Sequence, residues 1–213
     1  MGKRLWIWGV PVVLWLAFCA WYTGLRGPLT ADEIAAYAAT MERNGGDSAR
    51  IERLRRFMEE DTGRQFFMVN NLDMAQHPVL VSGAEPTDTA DDLLARYMEY
   101  MYPALFIRAC HPVFAGAAVA DAMDVTGIAG AEHWTRAALM RYRSRRDMLD
   151  IALNPAFNGR HEFKLAALDK TIAYPVEAQL YLSDPRVLLL LALLVLTLVL
   201  DAVLCRRRDS ATR

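Results

Sequence analysis

The side chains best suited to chemistry in this sequence are a histidine and a few polar residues expected to lie around it. His161 comes one helical turn after Phe157 and one before Leu165, in a stripe that continues to Leu168. Because residues three and four apart share one side of a helix, we expect the His161 ring to face the space between a helix and a sheet. Imidazole titrates near neutral pH, as proton transfer beside an apolar cavity requires. Such a pocket could oxidise or isomerise a small aromatic or a lactone, assisted by Arg160, Tyr142 or Tyr174.

A structural interpretation of the same residues stays open. In it, His161 is a core histidine whose ring nitrogen bonds a neighbouring carbonyl, and Asn70 or Asn71 satisfies the end of a strand. The other histidines are expected to be structural as well. His133 begins a predicted strand, and His77 and His111 each precede a proline in a turn.

Cysteines and histidines give no metal signature. Cys19 and Cys205 fall in long apolar segments, so Cys110 is the only thiol between those segments and is expected to be a buried apolar residue. The sequence has no CxxC pair and no HExxH motif, and it therefore predicts no zinc site.

Alternating short strands and helices must position these residues. A strand-like run follows Gly63, and a helix capped by Thr87 or Asp88 comes next. The sequence continues with strands over PVFAGAAVA and HWTRAALMRY, a helix capped by Ser144, and a last strand over TIAYPVEAQLYL. The order strand, helix, strand, strand, helix, strand predicts an α+β, ferredoxin-like βαββαβ domain with its helices on one face of an antiparallel sheet. The other face is left uncovered, which predicts a homodimer formed through the sheet.

Three stretches carry a resemblance to a known superfamily: FMVNNL, ALMRYRSRRDMLDIALNPAF and RHEFKLAALDKTIAYPVE. Over residues 64–183 the chain resembles small stand-alone proteins of the dimeric α/β-barrel superfamily. That superfamily includes uncharacterised proteins, cofactor-free monooxygenases and heme-degrading monooxygenases, so fold alone leaves function open. The resemblance to the heme-degrading branch implies that His161 binds heme iron and that Asn70 or Asn71 contacts the ligand side of the iron. Tyr142 stands where that branch has a tryptophan packed on the macrocycle.

Two apolar segments flank this domain. Residues 5–25 and 187–205 are each about 20 residues long, which matches a hydrocarbon core of roughly 30 Å, and we expect both to be transmembrane helices. Asp201 is the one acid within them and is expected to reach toward Arg206. Two amphipathic helices over residues 30–62 are expected to form a helical collar that either connects the first span to the domain or docks.

Basic residues predict the orientation of the two spans. Lys3 and Arg4 precede the first, and a basic tail over residues 206–213 follows the second. Because such residues stay in the cytoplasm, we expect both termini inside and residues 27–186 outside, in a bacterium anchored in the inner (plasma) membrane and facing the periplasm. A cleaved signal peptide, with Ala17 and Cys19 before the cleavage point, is the alternative for the first segment.

The charge of the middle domain argues against nucleic acid as a partner. The chain has a formal net charge of −1, and its terminal segments together with Asp201 are basic, which leaves the middle domain acidic. Its one dense basic cluster, Arg141 to Arg146, is expected to be a solvated strand edge and helix start.

Two functions fit these observations. The first is a membrane-anchored, extracytoplasmic module that binds a small ligand or serves a membrane-protein partner as an accessory. The second is a heme-binding or cofactor-free, monooxygenase-like enzyme with a pocket at His161 and Asn70.

Overall fold

The computed structural model describes residues 2–157 and 159–209, which form two compact units. One unit combines the terminal segments, up to Leu25 and from Gln179 onward, and the other is Arg26–Ala178. Of the predicted basic tail, residues 210–213 and the arginine side chains before them lie outside the described part. In chain order the helices are α1 (Gly2–Thr23), α2 (Ala31–Arg43), α3 (Ser48–Glu59), α4 (Ala90–Ile107), α5 (Arg145–Ala152), α6 (Arg160–Ala166) and α7 (Pro185–Asp209). The strands are β1 (Phe66–Met74), β2 (His111–Ala117), β3 (Arg136–Tyr142) and β4 (Leu168–Val176).

The terminal unit is a pair of long apolar helices, α1 and α7. Both are long and apolar enough to cross a membrane, and only 6% of the most apolar window of each is buried within the protein. Arg4 donates two hydrogen bonds of 2.8 Å to the Asp201 carboxylate, so Asp201 pairs with the first helix. The expected contact of Asp201 with Arg206 falls on a side chain outside the described part. Near the other end, Trp15 Nε1 donates to the Arg186 carbonyl at 2.9 Å. The two helices therefore pack antiparallel.

The second unit is built on a four-stranded antiparallel sheet. Its strand order is β2-β3-β1-β4, with β1 pairing on one side with β3 and on the other with β4. The mixed α+β class and the antiparallel sheet agree with the sequence prediction.

All the helices of this unit cover one face of the sheet. Phe66 and Met68 of β1 and Tyr142 of β3 point to that face and pack with residues of α2, α3 and α5, and Met74 packs with α4 and α6. The alternate residues point to the opposite face. There Phe114, Leu139, Val69 and Tyr174 stand side by side in one row across the four strands, and both Phe114 and Tyr174 are largely exposed.

The two helices before the sheet belong to the same compact unit as the sheet. Thr30 and Glu33 form the predicted capping box of α2, and Asp47 caps α3 as predicted. Their apolar side chains share a core cluster with Phe66 of β1 and with Met148 and Leu149 of α5.

The basic cluster after β3 is buried, and the expectation of a solvated edge was wrong. The Arg141 side chain is fully buried and donates to the Gln65 side chain and the Ala109 carbonyl. Arg143 pairs with Asp147, and Arg146 with Glu33. Arg143 has a local partner, whereas the partners of Arg141 and Arg146 are distant in sequence, a pairing that local charge density cannot reveal.

Candidate functional site

Asn70 and Asn71 lie on opposite faces of the sheet, because successive strand residues alternate. Asn70 shares the helix-covered face with Met68, and its Nδ2 donates to the Met68 carbonyl at 3.0 Å. Asn71 stands between Ala137 and Ile172 on the face away from the helices. Of the two asparagines suggested by the sequence, only Asn70 faces the helices.

His161 lies in the first turn of α6 and is exposed, so the predicted buried stripe was wrong. Phe163 and Ala166 are the buried residues of α6, packed with Ala90 and Leu93 of α4, whereas Leu165 is 53% exposed. Phe157 belongs to a separate 3-10 turn, Pro155–Phe157, and so cannot continue the stripe of α6. Contact with α4 sets the buried side of this short helix.

The His161 ring stands edge-on to Tyr97 of α4, with the ring centres 6.1 Å apart. Partial burial against the protein lowers the pKa of His161, and the positive charges of Lys164 and Arg50 lower it further. Because both causes lower its pKa, the His161 ring is uncharged at neutral pH.

Lys164, a residue that sequence reasoning missed, lies between His161 and Asn70. It is half-buried, its Nζ stands 3.5 Å from Asn70 Oδ1, and burial lowers the pKa of its ammonium. Within the described residues no carboxylate lies within ion-pair distance of it. Its position three residues after His161 was the one available signal, since i and i+3 share a helix face.

Tyr142 shares an apolar core cluster with Tyr97. Its ring stacks on Phe66 with the centres 5.3 Å apart, and burial raises its pKa, with Tyr97 and Cys110 contributing. We name Asn70, Lys164, His161, Tyr97 and Tyr142 the lysine cluster. The three residues suggested by the sequence are thus linked through two that were not, Lys164 and Tyr97.

The lysine cluster does not fit a heme. An axial histidine presents its ring nitrogen to a porphyrin held in a largely apolar slot. His161 is exposed beside Tyr97, and an ammonium stands next to Asn70. The other histidines lie elsewhere, and no group of three or more His, Cys, Asp or Glu in the described residues could hold a metal ion.

Two further features are a buried cysteine, Cys110, and an open cavity. Cys110 is fully buried as expected, and burial raises the pKa of its thiol to about 11, which leaves it unreactive near neutral pH. One open cavity of about 510 Å³ is lined by the loop after β1 and the start of α4, including His77, but by no member of the lysine cluster.

Comparison with known proteins relates the chain to two solved structures by fold. No family model matches the chain, and no curated protein matches it. A crystal structure of methylated RPA0582 protein superposes with a TM-score of 0.51 at 16% identity, covering 65% of this chain and 95% of that one. The structure of RPA0582, described as a protein of unknown function from Rhodopseudomonas palustris, gives a TM-score of 0.50 at 14% identity, covering 63% and 95%. At this identity the likeness concerns the α+β fold alone.

Proposed function

We propose that this protein is a two-span membrane anchor that holds an α+β domain outside the cytoplasm, where the domain binds a small ligand. The observation that carries the anchoring is the pairing of α1 with α7. Two helices with apolar surfaces on nearly all sides are unstable in water, and a bilayer is the solvent that suits them.

The ion pair between Arg4 and Asp201 supports a location of both termini on the same side of the membrane. Arg4 lies near the start of α1 and Asp201 near the end of α7, and their bidentate contact puts these two ends at the same depth. Lys3 and Arg4 favour the cytoplasm for that end. Its contacts with α7 support a retained α1 over a cleaved signal peptide.

The domain itself is, in this proposal, a ferredoxin-like domain of the dimeric α/β-barrel type. Support comes from the order strand, helix, strand, strand, helices α5 and α6, strand, from the strand order β2-β3-β1-β4, and from helices confined to one face. The apolar row Phe114, Leu139, Val69 and Tyr174 on the other face favours a second copy as its cover.

Ligand binding is assigned to the lysine cluster because it joins polar groups to aromatic walls at the helix-sheet interface. Lys164 and Asn70 offer a donor and an acceptor, and Tyr97 and Tyr142 offer ring surface. Proton transfer by His161 in a monooxygenase-like reaction has no supporting contact in this arrangement, so the binding module is the function that we propose.

Reporter fusions test the anchoring. Alkaline phosphatase is active only after export from the cytoplasm. In one fusion it is inserted at Ala84, in the loop before α4. In a second fusion it follows Arg213. We expect activity from the first fusion only. Activity from the second fusion alone, or full extraction of the chain from membranes by alkaline carbonate, would overturn the proposal.

A further inference from the structure

Lys164 is the one member of the lysine cluster whose charge has no counterion among the described residues. Its ammonium has three hydrogen-bond donors, and the one contact described for it is the long 3.5 Å approach to Asn70 Oδ1. Asn70 is itself held by its bond to the Met68 carbonyl. At least two donors of the ammonium are therefore free to bind a further acceptor.

The described ion pairs place no acid on this ammonium, and a further cation lies on the same helix. His161, on the same side of α6, interacts electrostatically with both Lys164 and Arg50. Arg160, at the start of the same helix, lies 3.8 Å over the Tyr100 ring of α4 and pairs with no described acid. A half-buried charge in such a position is costly unless an anion joins it.

Aromatic side chains stand beside the cation. Tyr97 is half-buried between two apolar clusters and contacts His161 with its ring, and Tyr142 lies beyond it. Half-burial leaves part of the ring surface reachable from solvent, where His161 is exposed. An apolar body attached to the anion would find its contact there.

We propose that Lys164, held by Asn70 Oδ1, binds the carboxylate of a small aromatic monoacid whose ring lies against Tyr97. The proposal rests on the proposed function, since it names the ligand class of the lysine cluster. A single negative charge suits the site because Lys164 carries the one full charge within the lysine cluster, whereas Arg160 lies outside it, over the Tyr100 ring. A phosphate dianion would leave one charge unbalanced.

Calorimetric titration of the full chain in detergent micelles tests this, with benzoate as the probe and benzamide as its uncharged analogue. We expect benzoate to bind with a Kd of about 1 mM or below, and benzamide to bind at least about tenfold more weakly. Lys164→Met should weaken benzoate binding by about tenfold, whereas the control Lys170→Met, on β4, should bind like the unchanged chain.

Four results would overturn the assignment. The first is no heat of binding with benzoate up to about 20 mM. The second is equal binding of benzoate and benzamide, and the third is a Lys164→Met chain that binds as tightly as the unchanged one. Inorganic phosphate that displaces benzoate at equal concentration would also reject the carboxylate.

A second measurement covers the case in which Lys164→Met fails to fold. Acetylation of lysines by an N-hydroxysuccinimide ester is followed on the unchanged chain by peptide mass spectrometry. Benzoate should slow acetylation of Lys164 several-fold and leave Lys170 unaffected, and equal rates with and without benzoate would contradict the proposal. Because neither assay depends on topology, failure of ligand binding and failure of the membrane orientation are separate results.

Discussion

His133 is held between two carboxylates at the edge of the sheet. Its Nδ1 lies 2.8 Å from Asp121 Oδ1 in the loop between β2 and β3, and its Nε2 lies 3.7 Å from Asp73 Oδ1 on β1. The hydrogen bond to Asp121 raises the pKa of His133, and the charge of Asp73 raises it further. The protonated imidazole thus ties the loop to the sheet.

The raised pKa of His133 makes the stability of the fold depend on pH. A histidine whose pKa is raised by folding stabilises the fold below its unfolded pKa of about 6.5, and that contribution is lost as the pH rises through the folded pKa. We expect an NMR titration to give His133 a pKa above 6.5, and Asp121→Asn to lower it. Asp124→Asn, in the same loop, is the control. A pKa that Asp121→Asn leaves unchanged would contradict the assignment.

His161 gives a prediction at the same scale. Because its ring is exposed and set against Tyr97, we expect heme added to the full chain to give the same absorption spectrum with His161→Ala as with the unchanged chain. A Soret band that shifts in the unchanged chain and not in the variant would restore the iron-ligand hypothesis.

The sequence predicted the identities of several site residues, but it did not predict which of their side chains are buried. Asn70, His161 and Tyr142 were identified by type and by resemblance, and they lie in one neighbourhood. Which side of α6 is buried depends on contact with α4, and the partners of a lysine depend on the fold, so His161 was misplaced and Lys164 was missed.

At the scale of elements, α5 ties the N-terminal helices to the sheet. The Arg146 side chain, 6% exposed, donates to both oxygens of Glu33 at 2.8 Å and to the carbonyls of Gly27 and Pro28. Hydrogen bonds from Arg146 lower the pKa of Glu33 to about 2, with the Thr30 amide as the second cause. The carboxylate therefore stays charged across the whole working range of pH.

Removing this carboxylate is expected to destabilise the unit. Glu33→Ala leaves Arg146 buried without its anion and breaks the capping box, and we expect a loss of about 2 kcal/mol in the free energy of unfolding. The neighbouring Asp32→Ala, which breaks neither contact, should cost no more than about 0.5 kcal/mol. Urea unfolding of both variants in micelles, followed by circular dichroism, measures the difference. Equal losses would contradict the role of the ion pair.

Caps were the most predictable features of the elements. The bonds that start α2, α3 and α5 join Thr30, Asp47 and Ser144 to backbone amides three residues later, so the local sequence is sufficient to predict them. Strand ends shifted by a few residues, and the helix after β1 begins after Thr89, one or two residues beyond the predicted caps. Burial of Arg141, Arg145 and Arg146 was unpredictable because their partners are distant in sequence.

At the scale of the whole molecule, the uncovered face of the sheet predicts self-association. Val69 lies at the centre of the apolar row, next to Leu139 and Tyr174. The substitution Val69→Lys would place two unpaired ammonium groups in the interface of a two-fold dimer. Burying them would destabilise the dimer by several kcal/mol.

Sedimentation of residues 26–178, one compact unit, measures this association. We expect a dimer at tens of micromolar, on the order of ordinary interface affinities, and a monomer for Val69→Lys. Leu80→Lys, at an exposed apolar site in a loop away from this row, should remain a dimer. A clean monomer for the unchanged fragment would remove the barrel-type dimer.

The orientation of the domain is tested most directly by thiol labelling in intact cells. Cys19, Cys110 and Cys205 are replaced by Ala, and a single cysteine is introduced at Met123, a 91% exposed side chain in the loop between β2 and β3. A second chain instead carries its single cysteine at Ser210. We expect a membrane-impermeant maleimide to label the Met123→Cys chain in intact cells, and the Ser210→Cys chain only after lysis. Labelling of the Ser210→Cys chain alone in intact cells would contradict the two-span anchor with an extracytoplasmic domain.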